Sequence, residues 1–261
     1  MPDPIEEERR RSVLENPDAD APRLDYARWC EAQPDEATRA RANFIRTQLA
    51  LTDVFGDGDK FEEMQRSHSL TRRYGAVWAG RIAELADGYA FDRGFVELVE
   101  LPAARFLEIA QTLLQLAPIR HLDLKNGKPV AAALFASPHL RNIRSLRMDG
   151  AGLDDSDMKA LAGSPNAAGL RWLSLAGNRI GFEGAELLAR SDYLRGLGYA
   201  WLFNNEIEPN QKYSYDNGIV VDDWMPDDGL ELERRAGRAL RWLRNDARTI
   251  GDAVPDRFRM S

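Results

Sequence analysis

Apolar residues in the second half of the chain return at a fixed spacing, and this spacing predicts a repeating fold. Residues of similar type recur every 27 positions over three copies. The aligned columns contain Leu134, Leu161 and Leu188; Ser137, Ser164 and Ser191; Leu146, Leu173 and Ala200; Met148, Leu175 and Leu202; Gly150, Gly177 and Asn204; and Leu153, Ile180 and Ile207. A period of about 20–50 residues indicates stacked structural units, each too small to bury its apolar face alone.

Within each copy, apolar residues alternate over a short stretch that predicts a buried β-strand. These stretches begin at Ile143, Leu170 and Leu197, and an upstream copy begins at Ile119, 24 rather than 27 residues earlier. A decayed copy begins near Phe95, a further 24 residues upstream. Because the rest of each period leaves room for a helix on the return path, the pattern predicts an α/β fold with parallel strands.

Asparagine follows two of the predicted strands at the same register position, at Asn178 and Asn205. Its side-chain amide is suited to bonding backbone groups at a bend. With the leucines before them, these residues resemble the L-x-x-L-x-L-x-x-N-x-L signature of leucine-rich repeats, in the ribonuclease-inhibitor-like class. The resemblance implies a short solenoid with parallel strands on its concave face and helices on its convex face. Gly127 and Ala151 replace asparagine in the two earlier copies, so we expect the early turns to be less regular.

The first 88 residues carry helical periodicity instead. A helix that begins near Ile5 is interrupted at Asn16-Pro17, and a second helix follows it. A third helix is predicted near Glu36 to Thr52, and a fourth runs to about Leu85. This segment is therefore predicted to be an all-helical domain.

A second resemblance covers the helical segment and the strand after it. The repeat-companion domain, found at the N-terminus of many bacterial leucine-rich-repeat proteins, is similar to two stretches here, APRLDYARWCEAQPDEATRARANFIRTQLAL and FDRGFVELVEL. The matching residues are Arg23, Leu24, Tyr26, Ala27, Trp29, Phe44, Ile45, Arg46, Gln48, Arg93, Gly94, Phe95 and Val96. Arg28 and Asn43 stand where that family has acidic residues, so salt bridges built on those acids are not expected. The resemblance implies an interaction module and brings no catalytic residues with it.

The repeat register stops after Ile207. Residues 208–261 are predicted to form a C-terminal cap, because the open end of a stacked repeat exposes apolar core. This cap would contain a short strand or hairpin between Tyr213 and Trp224, followed by one long helix. The apolar face of that helix would be Leu232, Ala236, Leu240, Leu243, Ala247 and Ile250. The predicted domains are therefore a helical repeat-companion domain at 1–88, a repeat region at 89–207 and a cap at 208–261.

Arginines gather along the predicted last helix. They are Arg234, Arg235, Arg238, Arg241, Arg244 and Arg248. Such a stripe could dock an acidic partner or nucleic acid. Pairing with nearby acids of the same segment explains it with fewer assumptions.

Composition and charge limit the class of protein. The 261 residues include 35 basic and 42 acidic side chains, a formal net charge of −7 that argues against nucleic acid as a partner. No stretch approaches the roughly 20 apolar residues of a membrane helix, and no signal-peptide core follows the N-terminus. Cys30 is the single cysteine, which excludes a disulfide framework and favours a reducing, cytoplasmic location. We expect Cys30 to be a buried packing residue.

Motifs for catalysis and metal binding are incomplete in this sequence. Lys128 lies in KNGKP without the earlier glycine of a phosphate-binding loop. In DVFGDGDKFEEM, Phe55 and Met64 occupy positions where a calcium loop needs oxygen ligands. The three histidines are too scattered to form a metal or catalytic set. We therefore expect no catalytic residues, no metal and no cofactor.

The register also predicts which strand side chains point outward. The exposed columns are His121, Ser145, Trp172 and Tyr199; Asp123, Arg147, Ser174 and Trp201; and Lys125, Asp149, Ala176 and Phe203. Charged residues fill the early strands, and large aromatic residues fill the late ones. Monomers seldom leave so much apolar surface bare, and interfaces favour Trp and Tyr.

These columns define a predicted partner-binding site on the concave face. Its anchors are Trp172, Tyr199, Trp201 and Phe203, with Arg147 and Asp123 setting orientation. Alternatively, the segment from Tyr213 to Trp224 folds back over the aromatic end as part of the cap.

The sequence thus predicts a cytoplasmic, non-enzymatic scaffold of bacterial type that binds a protein or peptide and no membrane. The alternative is an accessory or activating subunit of a partner enzyme, because a leucine-rich-repeat arc can present a residue to another active site. A stand-alone enzyme would instead require a pocket that holds several titratable groups in perturbed environments.

Overall fold

The computed structural model describes residues 3–52, 60–207, 214–216, 219–221 and 226–243. These residues form ten α-helices: α1 (Pro4–Glu15), α2 (Asp20–Glu31), α3 (Glu36–Thr52), α4 (Phe61–Ala79), α5 (Ile82–Leu85), α6 (Ala103–Leu116), α7 (Ala131–Ala136), α8 (Asp155–Ala162), α9 (Phe182–Arg190) and α10 (Pro226–Ala236). They also form eight strands: β1 (Gly88–Asp92), β2 (Phe95–Pro102), β3 (His121–Lys125), β4 (Ser145–Arg147), β5 (Trp172–Ser174), β6 (Tyr199–Trp201), β7 (Ser214–Asp216) and β8 (Ile219–Val221). Strands β1 to β6 make one mostly parallel sheet in chain order, and β7 pairs with β8. The predicted α/β class is confirmed.

The chain divides into two compact units. The first contains Met1–Glu100 and Ile109–Arg120, and the second contains Leu101–Glu108 and His121–Ser261. The three-segment division at residues 88 and 207 stays a prediction. Within the described ranges, no helix has both the length and the apolar character needed to cross a bilayer.

Helices α1 to α3 of the first unit lie where the sequence pattern predicts them. The fourth helix was predicted to run to about Leu85, but α4 ends at Ala79, because Gly80 has positive φ, and the short α5 follows it. The Asp3 side chain accepts a hydrogen bond from the backbone N–H of Ile5 and caps α1, and Pro4 occupies the first turn. Consecutive helices from α1 to α4 pack against one another. One apolar cluster joins α1, α2 and α3 to strand β2, and it consists of Val13, Tyr26, Ala27, Cys30, Ala42, Ile45 and Phe95. The expectation that Cys30 is a buried packing residue is confirmed.

An antiparallel hairpin follows the helices, and the sequence pattern did not predict it. Strand β1 pairs with β2 from Gly88 opposite Glu100 to Asp92 opposite Phe95. The turn residues Arg93 and Gly94 both have positive φ, 46° and 85°. Positive φ at both central positions is typical of the two-residue turns that match strand twist. The predicted decayed repeat strand at Phe95 therefore exists as β2, but it pairs antiparallel with β1.

Buried charges connect this hairpin to α2. Arg23 is fully buried, and its guanidinium lies 2.6 Å from the buried carboxylate of Glu97. Arg23 also donates to the carbonyls of Pro17 at 2.8 Å and Arg93 at 3.2 Å. Burial raises the pKa of Glu97 to about 7, and the charges of Arg23 and Arg93 oppose that rise. Two of the arginines that resemble the companion-domain motif, Arg23 and Arg93, thus share one buried acid.

A close backbone approach explains another part of the motif. The backbone N–H of Gly94 donates to Gln48 Oε1 at 2.6 Å. A Cβ atom on Gly94 would lie 2.2 Å from Ile45 Cγ1 and 2.9 Å from Ile45 Cα. Only glycine fits here, because the turn needs positive φ and helix α3 leaves no room for a side chain.

Parallel strands of the second unit have the register that the 27-residue period predicts. Strands β3, β4, β5 and β6 pair in sequence, with Leu122 opposite Leu146, Leu146 opposite Leu173 and Leu173 opposite Ala200. Helices α7, α8 and α9 follow β3, β4 and β5, and neighbouring helices pack together. Helix α7 has 6 residues, whereas α8 has 8 and α9 has 9. The shorter α7 accounts for the 24-residue spacing of the first copy.

The serine column joins successive copies. The Ser164 hydroxyl donates to the carbonyl of Phe135, and the Ser191 hydroxyl donates to the carbonyl of Ala162 at 2.6 Å. The same oxygens accept the backbone N–H two residues later, and in Ser164 this bond caps a short 3-10 turn. A hydroxyl that donates and accepts is required at this position, which is why serine repeats there.

The two asparagines also join successive copies. Asn178 Nδ2 donates to the carbonyls of Met148 at 2.9 Å and Leu175 at 2.8 Å, and its Oδ1 accepts from the N–H of Leu153 at 3.0 Å. Asn205 repeats this arrangement one copy later with Leu175, Leu202 and Ile180. Each buried amide satisfies backbone groups in its own copy and in the preceding one.

The C-terminal segment departs from prediction. The hairpin is present as β7 and β8, which pair antiparallel. The prediction of a single long helix is wrong, because α10 ends at Ala236 and Gly237 follows it with φ 66°. Residues Arg241–Leu243 form a separate 3-10 turn. Three of the described arginines pair internally: Arg234 with Glu231, Arg235 with Glu186 at 2.8 Å, and Arg238 with the carbonyls of Ala189 and Ser191. Arg244 and Arg248 lie outside the described residues.

The Gly94 turn predicts a local test of stability. Gly94→Ala should destabilise the first unit by about 2–4 kcal/mol, because it adds left-handed strain and a collision with Ile45. Gly150→Ala is the control for backbone strain alone, since Gly150 also has positive φ and nothing lies within 4 Å of its Cβ position. We expect about 1 kcal/mol for the control.

The Cys30 thiol reports directly on destabilisation of the first unit, because it reacts only when it becomes exposed. Burial raises the pKa of Cys30 to about 12, and a thiol reagent attacks the thiolate of an exposed cysteine. Modification of Cys30 should therefore be faster in Gly94→Ala than in Gly150→Ala. Equal rates in the two variants would contradict the proposed collision.

The hydrogen bonds of the buried asparagines predict that truncating one of them destabilises the protein more than truncating an exposed asparagine. Asn178→Ala should lower the free energy of unfolding by about 2–4 kcal/mol, because buried backbone groups lose their partners. Asn142→Ala is the control, since Asn142 is exposed and should change stability by less than about 0.5 kcal/mol. Urea denaturation followed by circular dichroism measures both. A cost for Asn178→Ala as small as that of the control would show that water replaces the amide.

Candidate functional site

Strand pairing brings the predicted site residues onto one side of the sheet. His121, Ser145, Trp172 and Tyr199 lie opposite one another in consecutive strands. Asp123, Arg147, Ser174 and Trp201 form the next column. Successive residues of a strand point to opposite faces, so both columns lie on the same face. We call this surface the strand face.

The early part of the strand face is a charge network. Arg147 lies 3.7 Å from an oxygen of Asp123 and 3.6 Å from an oxygen of Asp149, and Lys125 lies 2.6 Å from Asp123. The Arg147 side chain is only 12% exposed and that of Asp123 only 7%. Both predicted orienting residues are therefore largely covered and paired with each other.

The late part of the strand face is a continuous set of stacked rings. The ring centres of Trp172 and Tyr199 are 5.7 Å apart with planes at 7°, and those of Tyr199 and Trp201 are 6.3 Å apart with planes at 6°. Trp201 and Phe203 follow at 5.8 Å and 27°. We call these four residues the aromatic ladder. All four predicted anchor residues thus lie in contact with a neighbour in the ladder.

Exposure changes along the aromatic ladder. Trp172 is only 6% exposed, Tyr199 is half-buried, and Trp201 and Phe203 are 36% and 38% exposed. The expectation that all four rings are exposed is therefore wrong for Trp172. The guanidinium of Arg147 lies over the Trp172 ring, 5.7 Å from its centre. Trp172 therefore joins the charge network to the ladder, while Trp201 and Phe203 present the accessible apolar surface.

Asp149 lies between the two parts of the strand face, and it is not among the predicted partner-binding residues. Its Oδ1 accepts from the Ser174 hydroxyl at 2.6 Å and from the backbone N–H of Ala176 at 2.8 Å. Its side chain remains 34% exposed. Burial raises the pKa of Tyr199, and the negative charge of Asp149 adds to that rise. Asp149 thus provides an accessible negative charge beside the rings; its place in the third outward column was the available sequence signal.

His121 has a structural partner. Its Nδ1 lies 2.9 Å from the hydroxyl of Ser145, the next residue in its column. Both side chains are buried. At the start of the strand face, the side chains of His121 and Ser145 are therefore bonded to each other.

The segment expected to cover the aromatic end is described only in part. Tyr213 and Trp224 lie outside the described residues. The backbone of the β7–β8 hairpin between them is described. Trp201 and Phe203 are each more than one third exposed, so these two rings are not fully covered.

Exposure along the aromatic ladder predicts different effects of truncation. Trp172→Ala should lower the free energy of unfolding by about 3–5 kcal/mol, because it leaves a cavity under Arg147. Trp201→Ala and Phe203→Ala should each cost about 1 kcal/mol or less, because these rings are already partly in water. Chemical denaturation monitored by circular dichroism compares the three. Similar losses for Trp172→Ala and Trp201→Ala would contradict this division.

Comparison with known proteins identifies no relative: no family model, no curated protein and no solved structure matches the chain.

Proposed function

We propose that this chain is a cytoplasmic leucine-rich-repeat protein of the repeat-companion type, with a non-enzymatic role in binding a protein or peptide. In this proposal the second unit is the repeat arc, and the strand face is its concave, partner-binding surface. The 27-residue period, the parallel strand register and the asparagine bonds between copies support the repeat assignment. The buried Arg23–Glu97 pair and the Gly94 turn give physical roles to motif residues and so support the companion-domain assignment.

The observation that carries the proposed binding role is the aromatic ladder with two accessible rings. Trp201 and Phe203 are large apolar side chains in stacking contact, and each is more than one third exposed. Rigid stacked rings lose little side-chain entropy when a partner packs on them, which is why Trp and Tyr are frequent hot spots at interfaces. The ladder is thus a preorganised apolar anchor site.

The charges beside the ladder favour a particular kind of partner. Asp149 is the more accessible carboxylate and lies next to Tyr199; it shares Arg147 with Asp123, which also pairs with Lys125. A partner residue with an apolar body and a positive head would stack on Trp201 and reach the Asp149 carboxylate. We therefore propose a peptide segment that places Arg or Lys beside an apolar residue. Arg147 and Asp123 act here as positioning residues that hold Trp172 and the early strands.

Partner capture by ladder variants tests this function. The double variant Trp201→Ala with Phe203→Ala should lose the partner that the unaltered protein captures from its native lysate, with binding at least about tenfold weaker. Tyr193→Ala is the matched control, because Tyr193 is 42% exposed but lies outside the ladder. We expect Tyr193→Ala to retain the partner.

Two further measurements separate the possible outcomes. Circular dichroism should show that the double variant remains folded, because it spares buried Trp172. Asp149→Asn should weaken capture of a basic peptide and leave capture of an apolar peptide unchanged. Full retention of the partner by the double variant would show that the ladder is not the binding surface. Stimulated turnover of a captured enzyme would support an accessory-subunit role instead.

A further inference from the structure

A cavity in the first unit combines arginines with an apolar wall. It has a volume of about 200 Å³. Arg10, Arg41 and Arg81 line it together with one acid, Glu6, and apolar side chains such as Ile82 and Leu116 complete the wall. All of these residues belong to the first unit, so the cavity is independent of the strand face.

The charge in this cavity is unbalanced. Three arginines, whose guanidinium groups stay protonated at any physiological pH, and one carboxylate residue line it. That carboxylate, on Glu6, accepts a hydrogen bond from the Tyr26 hydroxyl at 3.0 Å. The whole chain is acidic, with a formal net charge of −7. A local excess of positive charge inside a cavity of an acidic protein is a feature that attracts an anion.

Arg41 is the residue that most directly indicates a ligand. Its guanidinium lies 5.3 Å from the Tyr26 ring centre and 4.9 Å from the Phe95 ring centre, so two aromatic faces hold it in place. Its Nε is buried and lacks a hydrogen-bond partner. Within the described part of the chain, no hydrogen bond or ion pair to the Arg41 guanidinium is found. Arg41 as a whole is half-buried, so the unsatisfied group is its Nε–H. A buried N–H without an acceptor costs free energy, and an acceptor supplied by a ligand would remove that cost.

Arg10 and Arg81 differ in how firmly their side chains are held. Arg10 already donates to the carbonyl of Leu116 at 2.9 Å, which fixes its position at the cavity wall. Arg81 lines the cavity and is exposed. A fixed guanidinium, a stacked guanidinium and an accessible one together form a set of donors that matches the several oxygens of a carboxylate or phosphate.

We propose that this cavity binds a small organic anion, with an oxyanion head on Arg41 and Arg81 and a ring-sized apolar body against the apolar wall. An apolar cavity of about 150 Å³ in another protein accommodates one benzene ring. A volume of about 200 Å³ therefore suits one ring or a short alkyl chain together with its charged head. Carboxylate and phosphate heads share the chemistry that arginine recognises, and the probes below distinguish them.

Titration calorimetry on the full chain tests this site with defined probes. Benzoate and phenyl phosphate carry the two heads on the same ring, benzyl alcohol is the neutral counterpart, and inorganic phosphate is a head without a body. We expect benzoate or phenyl phosphate to bind with a dissociation constant below about 1 mM. Benzyl alcohol and inorganic phosphate should each bind at least about tenfold more weakly than the better probe, because each lacks half of the recognition.

Arginine variants assign the binding to this cavity. Arg81→Gln should weaken the better probe about tenfold, and its exposed side chain makes a folded variant expected. Arg72→Gln is the matched control, because Arg72 is also exposed in the first unit but does not line the cavity. Arg41→Lys keeps the positive charge and loses the planar fork, so it should also weaken binding about tenfold.

Each outcome decides the proposal. Binding of an anionic probe that falls in Arg81→Gln and persists in Arg72→Gln supports it, and the tighter of the two probes identifies the head. Absence of binding below about 1 mM by both anionic probes would overturn it. It would also be overturned if benzyl alcohol bound as tightly as the better anionic probe, or if Arg81→Gln and Arg72→Gln weakened the binding of that probe equally.

Discussion

The buried asparagine amides are the constraint on which the second unit depends. Asn178 donates to carbonyls of its own copy and of the preceding one, and it accepts the N–H of Leu153. Because an unpaired backbone group in the core costs about 1–3 kcal/mol, each copy is held to one position relative to the copy before it. This position fixes the strand register, and the register determines which side chains stand next to one another on the strand face.

The aromatic ladder is a consequence of that register. Trp172 and Tyr199 come from different copies, and their rings stack because β5 and β6 pair without a shift. A slip of one residue would turn the ladder to the other face of the sheet. The ladder then passes from buried Trp172, beneath Arg147, to accessible Trp201 and Phe203. The same stacking therefore gives the site both a fixed base and an exposed surface, which is the basis of the proposed binding role.

The first unit satisfies its buried polar groups in another way. Arg23, Arg93 and Glu97 form a buried charge cluster, and Gly94 approaches Ile45 too closely for any side chain. The sequence motif contains the two arginines and the glycine, so their importance was predictable. Their shared acid was not, because Glu97 lies in a short strand stretch, FVELVEL, whose sequence gives no sign of a buried carboxylate. The hairpin was missed for a related reason: the helical and repeat patterns meet at β1, and neither describes an antiparallel strand.

The sequence by itself determined the elements that follow from periodicity: four N-terminal helices, the parallel strands with their outward columns, and the buried position of Cys30. Those features depend on local spacing, which a linear pattern records. Tertiary structure alone decided that Trp172 is covered while Trp201 is accessible, that the last helix stops at Ala236, and that Arg41 lies between two rings beside a cavity. Burial, pairing and cavity shape depend on residues that are distant in the chain, and periodicity carries no information about which of them meet.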